Sequence, residues 1–327
     1  MADPKLTPQL EHDYGDALGT LSTRVGQRRP SFAATLRRGV QRYWAPYVFI
    51  SPFYILFAIF GIFPPLYGVY LSLHRWDGLT PPVFVGLHNY MLVLTDGLFW
   101  QAFSNTLAIA ALSTGPSLFL ALGLAFLLNT HIQRGRHFYL ACIFSPTLAS
   151  SAAVALIFGL LYGREFGLIN AALRFLGLPG VDWLQDPVAM KFSLALLLTW
   201  RWAGYNTVIY LAGLQGIPEE YYEAARVDGA RTWHLFRYIS VPLLRRVILF
   251  TTVLSTIGIL QLFAEPYLLV GASGGTDYSL LTMMTYLYNN AFSYFKFGYA
   301  SAMAYVMFVF IVIGSLLNLW IGRRNEE

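Results

Sequence analysis

Trp202, Tyr205 and Asn206 stand at positions i, i+3 and i+4, so on a helix they share one face. Two aromatic rings and an amide on one face suit stacking on a sugar ring and hydrogen bonding to its hydroxyls. Gln261 and Glu265 are likewise one helical turn apart and add an amide and a carboxylate. Arg201 stands between Trp200 and Trp202 in a run otherwise free of charge, where a cation is costly and therefore marks either a function or a pairing with a neighbouring element. The plain alternative for the rings is an interfacial belt, since aromatic residues make up 17% of the chain.

No catalytic chemistry accompanies these residues. Lysine occurs only at Lys5, Lys191 and Lys296 and never after a glycine, so the Gly-Lys-Ser/Thr of a phosphate-cradling loop is missing. There is no HExxH motif. The single cysteine, Cys142, lies in an apolar run, and the six histidines are scattered, so neither a disulfide nor a metal site is expected. Ser273 fits the letters of a nucleophile elbow (residues 271–275, GASGG). That elbow needs a strand before it, whereas an apolar run precedes it here. The chain is therefore not read as an enzyme and is expected to bind no cofactor itself.

The elements that must position these residues are membrane helices. Apolar residues are 56% of the 327 and charged residues 12%, about half the charged share of a soluble domain, and the mean hydropathy is +0.52. A crossing helix needs roughly 20 predominantly apolar residues. Six runs satisfy this, at about 46–73, 103–129, 138–162, 192–214, 247–270 and 298–321, which predicts an all-α polytopic membrane domain over 44–324. Residues 278–295 are uncharged but rich in Thr and Asn, and are expected as a helix at or dipping into the outer surface.

Residues 1–43 are polar with no apolar core, and read as a loosely ordered tail rather than a signal peptide. Of the 22 Lys and Arg residues, six spans place sixteen on the side of residue 1 and five on the other, with Arg201 inside a span. That bias puts both termini in the cytoplasm. The net charge of +5 is thereby explained by topology, with lipid as partner and no nucleic acid.

The long segment 217–246 between the fourth and fifth spans is built for docking. Pro218 followed by Glu219, Glu220 and Glu223 favours a helix start, which predicts a short helix over about 218–227. Ala224 and Ala225 leave its backbone approachable, Asp228 and Gly229 end it with a left-handed turn, and a second helix from about Thr232 runs until Pro242 interrupts it.

Glu223, Ala224, Ala225, Gly229, Ile239, Val241 and Pro242 together resemble the EAA signature of permease subunits in binding-protein-dependent ABC importers. Further stretches resemble the carbohydrate branch of that family, the permeases of maltose and glycerol 3-phosphate importers: residues 84–90 (FVGLHNY), Asn105 with Thr106, 167–170 (GLIN), 211–218 (LAGLQGIP) and 298–301 (GYAS). The resemblance covers roughly 44–324. It implies a type I, MetI-like permease core in a bacterial or archaeal plasma membrane, with Glu223, Ala224, Ala225, Asp228 and Gly229 coupling to the ATPase. It further implies two ATP-binding subunits that hold ATP and magnesium, a second and homologous permease subunit, and an extracytoplasmic solute-binding protein. Arg201, Trp202, Tyr205, Asn206, Gln261 and Glu265 are the candidates for the solute path. The rival reading, an ion-coupled secondary transporter, calls for inverted repeats or buried acids, and only Glu265 answers to the latter.

Overall fold

The computed structural model describes residues 44–132 and 134–324, so the expected tail over 1–43 lies outside the described residues. The chain divides into two compact units, 1–65 and 66–327. The first holds α1 (Trp44–Leu56), which passes through a π-helical stretch (Phe57–Ile62) into the opening residues of α2 (Phe63–Ser72). The wider turn has a cause. Pro64 and Pro65 have no N–H to return to Phe60 and Gly61, and their rings press on those carbonyls. The chain relaxes just upstream, where the Phe63 N–H reaches back to the Ala58 carbonyl.

The second unit begins at Leu66, inside α2, and continues with a short antiparallel pair, β1 (His74–Arg75) and β2 (Val83–Phe84), in the register His74 to Phe84 and Arg75 to Val83. Next come α3 (His88–Thr95), α4 (Gly97–Thr130), α5 (Arg136–Leu148), α6 (Ser151–Leu161), α7 (Leu168–Phe175) and α8 (Pro187–Gln215). The chain then forms α9 (Glu219–Val227), α10 (Thr232–His234), α11 (Val241–Leu243), α12 (Arg245–Leu260), α13 (Ala264–Val270), α14 (Met283–Tyr288) and α15 (Phe297–Arg324).

Long helices start where the sequence supplies a cap. The Asp96 carboxylate accepts from the Leu98 and Phe99 amides to open the 34-residue α4, and Asp186 does the same for α8, with Pro187 at its first position. Asp96 does more: its second oxygen accepts from the hydroxyls of Tyr286 at 2.6 Å and Tyr299 at 2.5 Å, so one carboxylate ties together α4, α14 and α15. Burial pushes its acidity toward the neutral form, but the two tyrosines and two amides outweigh this and hold the carboxyl below the usual aspartate range.

Of the six expected spans, three are unbroken helices long and apolar enough to cross a bilayer: Pro46–Ser72, Gly97–Thr130 and Phe297–Gly322. The fourth, α8, has 29 residues, the length to cross, and carries Lys191 and Arg201. The third is not one straight rod. It breaks between α5 and α6 with a bend of 96°, after Pro146 and at Ser150, whose hydroxyl caps α6. In the fifth, α12 ends at Leu260, the chain opens over 261–263, and α13 follows.

The interior is packed for close helix approach. Lipid offers no hydrophobic gain between helices, so association depends on shape and on small residues. Ala121 and Ala125 of α4 and Ala203 of α8 are buried at no more than 3% exposure. A second cluster joins α6 and α8 through Phe158, Met190, Leu194 and Leu197, and a third joins α3, α4 and α15 through Val93, Phe99, Met303 and Met307.

The stretch 278–295, expected at or dipping into the outer surface, enters the fold over its middle: Leu280, Met283 and Thr282 are fully buried, and α14 packs against α4 and α15. Its polar residues explain why. Thr282 Oγ1 donates to the Leu262 carbonyl, Asn289 Nδ2 to the Ala272 carbonyl, and Asn105 Nδ2 from α4 to the Tyr278 carbonyl, while the Met283 amide donates to Thr106 Oγ1. Side chains that look too polar for an apolar setting here satisfy irregular backbone inside the protein.

Candidate functional site

A cavity of about 610 Å³ opens between α4, α8, α12 and the 261–265 segment. Trp202, Tyr205, Asn206, Gln261 and Glu265 all line it, so five residues singled out by type and spacing meet in one place. Trp202 and Tyr205 meet edge to face at 6.0 Å, and both are more than a third exposed. Asn206 is buried, with its Nδ2 donating to the Trp202 carbonyl at 3.2 Å. Gln261 and Glu265 do not share a helix turn as expected: α12 has ended before Gln261, and the break brings both residues to the cavity by another route.

Arg201 is placed differently. It stands behind the lining, where Nη1 donates to Glu265 Oε1 at 2.8 Å and to Ser151 Oγ at 3.1 Å, and Nη2 donates to the Ala149 carbonyl at 3.1 Å. Both members of the ion pair are under a tenth exposed. The guanidinium also lies 5.9 Å from the Trp202 ring centre. The sequence named both charges but gave no reason to join them, because the contact crosses 64 residues. Ser151 and the opened carbonyl of Ala149 were missed as well; the Pro146 break that frees them is the signal that pointed there. On α4, Ser113, Thr114 and Ser117 add hydroxyls to the lining. Ser117 Oγ is buried without a hydrogen-bond partner among the described residues.

The two-helix elbow lies at the other end of α8. α9 starts at Glu219, with Pro218 one residue outside as its N-cap. Glu223, Ala224, Asp228 and Gly229 are exposed and Ala225 half-buried. Gly229 takes φ +83°, and the amides of Gly229 and Ala230 return to the carbonyls of Arg226 and Ala225, a glycine-terminated helix end. The next helix is not interrupted at Pro242 itself. A π-helical stretch, Leu235–Ser240, precedes it and ends with the Val241 amide reaching Phe236, which relieves the clash of the proline ring with the turn before it. The sharp bend, 69°, falls between α11 and α12.

The elbow is fixed to the long helices by side chains that the EAA pattern does not contain. Tyr222 of α9 is 2% exposed, its hydroxyl 3.0 Å from Ser240 Oγ. It shares one apolar cluster with Leu235, Phe236 and Leu244 and with Tyr210, Leu211 and Leu214 of α8. Tyr210 continues the link, its hydroxyl 2.7 Å from Thr251 Oγ1 on α12.

A set of membrane-spanning helices that walls a polar and aromatic cavity and carries a rigidly anchored, otherwise bare helix is the architecture of a transport permease. Residues 30–327 match the family described as the binding-protein-dependent transport system inner membrane component, and the chain belongs to that family. It is a multi-pass protein of the inner membrane. Among curated relatives, the lactose transport system permease protein LacF of Rhizobium radiobacter is 35% identical over 90% of this chain and 100% of its own length. The arabinooligosaccharides transport system permease protein AraP of Bacillus subtilis is 34% identical over 84% of this chain and 87% of its own. For the trehalose/maltose transport system permease protein MalF of Thermococcus litoralis the figures are 32%, 86% and 94%. The fold matches a solved bacterial ABC transporter that imports the acidic polysaccharide alginate, with a TM-score of 0.77 and 24% identity over 89% of this chain and 99% of that one. This membership sets the ion-coupled reading aside.

Proposed function

We propose that the chain forms one side of the path by which an ATP-driven importer takes up a carbohydrate, and that α9 couples this path to ATP hydrolysis by other subunits. The convergence of Trp202, Tyr205, Asn206, Gln261 and Glu265 on one cavity carries the reading. Rings and neutral polar groups of this kind suit a sugar, whose apolar ring faces stack and whose hydroxyls bond. The sugar permeases among its relatives support the same class.

Glu223, Ala224, Ala225, Asp228 and Gly229 are the contact to the ATPase in this proposal. Closure of two ATP-binding subunits, which hold ATP and magnesium, moves α9. Tyr222 and its apolar cluster transmit the movement to α8, and Tyr210 to α12. A second, homologous permease completes the path, and a solute-binding protein delivers the cargo on the extracytoplasmic side. Both termini are cytoplasmic. The six spans fall over 44–324, with the coupling segment at 217–246.

Isolation of the complex from the native membrane through a tag on this chain tests the assembly. A nucleotidase should copurify, and the complex in liposomes should hydrolyse ATP faster when the sugar-loaded binding protein is added. A chain isolated alone that moves sugar without ATP overturns the proposal.

A further inference from the structure

We propose that Glu265 is a charge selector, which admits an uncharged carbohydrate to the cavity and turns away sugar acids and sugar phosphates. The inference rests on the reading of this cavity as part of the solute path and narrows its cargo.

The argument starts from where the two charges sit. Among the described residues Glu265 is the only Asp, Glu, Lys or Arg on the lining, and Arg201 is not on it. The ion pair is therefore a dipole with a direction: the carboxylate faces the space and the guanidinium stands behind it. Both hydrogen bonds that the described residues make to this carboxylate, from Arg201 Nη1 at 2.8 Å and Ser151 Oγ at 3.4 Å, go to Oε1. Among the described residues nothing donates to Oε2, and Oε2 is not one of the sealed, partnerless buried atoms. A carboxylate oxygen open to a cavity accepts hydroxyl protons readily. A neutral sugar supplies such protons. An anion meets the negative end of the dipole first, in surroundings that screen charge less than water does.

The guanidinium sharpens this. It is held by three donor contacts on two of its nitrogens, and its Nε is buried with no partner among the described residues. With Glu265 in place the pair is neutral as a whole. Without the carboxylate, a cation with unspent donors stands one side chain's depth from the cavity wall, beside the Trp202 ring. The same site would then attract what it now repels. The selector is thus a single carboxylate whose removal inverts the preference, and its partner Arg201 fixes its orientation without touching the cargo.

Trp202 lies on the lining and reports the field there. In the purified, assembled transporter, Trp202→Phe isolates the fluorescence that this residue contributes, and that fraction is quenched with neutral acrylamide and with iodide. The wild type should show quenching by acrylamide and several-fold weaker quenching by iodide. Glu265→Gln should raise iodide quenching about tenfold and leave acrylamide unchanged. Iodide quenching that stays at the wild-type level in Glu265→Gln overturns the selector. Because a lone buried guanidinium can cost the fold, the double variant Arg201→Met with Glu265→Met removes both charges together. It should bring iodide and acrylamide to parity, and a ratio held at the wild-type value overturns the proposal equally. Lactose and its acid, lactobionate, form the second arm. Lactose should shield Trp202 from acrylamide in the wild type and lactobionate should not, while in Glu265→Gln lactobionate should shield. Equal shielding of the wild type by both overturns the selector. Shielding by neither, with the iodide response as described, overturns instead the reading of the cavity as a sugar site.

Discussion

Gly204 of α8 lies against the Ile143 carbonyl of α5 so closely that a β-carbon added to it would stand 2.0 Å from that oxygen and 3.0 Å from the Phe144 α-carbon. The neighbour is backbone and has no rotamer by which to withdraw. It is this contact that brings the broken α5–α6 segment, with its Ala149 carbonyl and Ser151 hydroxyl, within reach of Arg201, less than one turn before Gly204 on the same helix. Close approach of backbones through small residues is how helices associate in lipid.

Gly204→Ala should therefore displace α5 as a whole. Overpacking typically costs about 1–3 kcal/mol where side chains can adjust, and here they cannot, so the loss should lie at or above the top of that range. The thermal midpoint of the detergent-solubilised protein should fall clearly. A midpoint equal to the wild type would mean that the two helices are not held in this contact.

Asp96 predicts an acid limit to stability. Its carboxyl is held below the usual aspartate value of 3.8 in the folded protein, because the Tyr286 and Tyr299 hydroxyls and the Leu98 and Phe99 amides bond the charged form. A lowered folded value means that the contribution is complete above the unfolded value and is lost as pH falls through the folded one. Unfolding midpoints should thus be level from pH 7 down to about 4 as regards this group and decline below it. Asp96→Asn should flatten that acid decline, and Asp96→Ala should cost about 1 kcal/mol for the lost cap at neutral pH, with two tyrosine hydroxyls stranded besides. An acid profile identical in Asp96→Asn and wild type would refute the assignment.

The exposed end of α9 separates coupling from folding. Glu223 makes no ion pair among the described residues and stands free of the packed cluster, so Glu223→Lys should leave the protein folded in the membrane yet abolish sugar uptake by cells that carry the whole transporter. Gly229 has open space around its α-carbon but φ +83°, so Gly229→Ala should cost only the left-handed strain, about 1–2 kcal/mol, and reduce uptake partially. Immunoblots of membrane fractions control for abundance. Normal uptake by Glu223→Lys would remove α9 from the coupling role.

How far the sequence speaks for the structure differs from element to element. The long α4 and α15 follow from runs of apolar residues, and the turn at Gly229 follows from Asp-Gly after a short helix. The breaks are harder. Pro146 and Pro242 announce disruption, but whether a proline breaks a helix, bends it or is absorbed in a π-helical stretch depends on what the freed carbonyls meet, which is tertiary. The depth to which 278–295 enters the fold is open in the sequence for the same reason: Thr282 and Asn289 look solvent-seeking until Leu262 and Ala272 offer carbonyls. The motif asparagines read best afterwards. Asn89 donates to the Ser72 and His74 carbonyls, and Asn170 bridges Arg164, Val181 and Trp183, so these stretches of family likeness secure loops rather than touch the cavity. The pairing of Arg201 with Glu265 was legible as two costly charges in apolar surroundings but not as a contact.

Asn206 and Gln261 give the sharpest test of the cavity, because neither carries charge or fills a large volume. Each offers an amide to the same space from a different segment, one on the rigid α8 and one where the chain has left α12. If a sugar hydroxyl bonds to each, Asn206→Ala and Gln261→Ala should each raise the half-saturating concentration for uptake about three- to tenfold, the worth of one hydrogen bond of roughly 0.5–1.5 kcal/mol. Asn206 also donates within its own helix, to the Trp202 carbonyl, and that carbonyl already accepts in the helix ladder, so its loss there is small. Gln261 lies at an opened turn whose backbone is free to shift, so Gln261→Ala should lower the maximal rate as well, whereas Asn206→Ala should act on affinity alone. Because the binding protein saturates first in intact cells, the measurement belongs in liposomes with the binding protein held in excess and the sugar varied. Unchanged half-saturation in both variants would show that the cargo passes without touching either amide, and the path would then have to run elsewhere than along this wall.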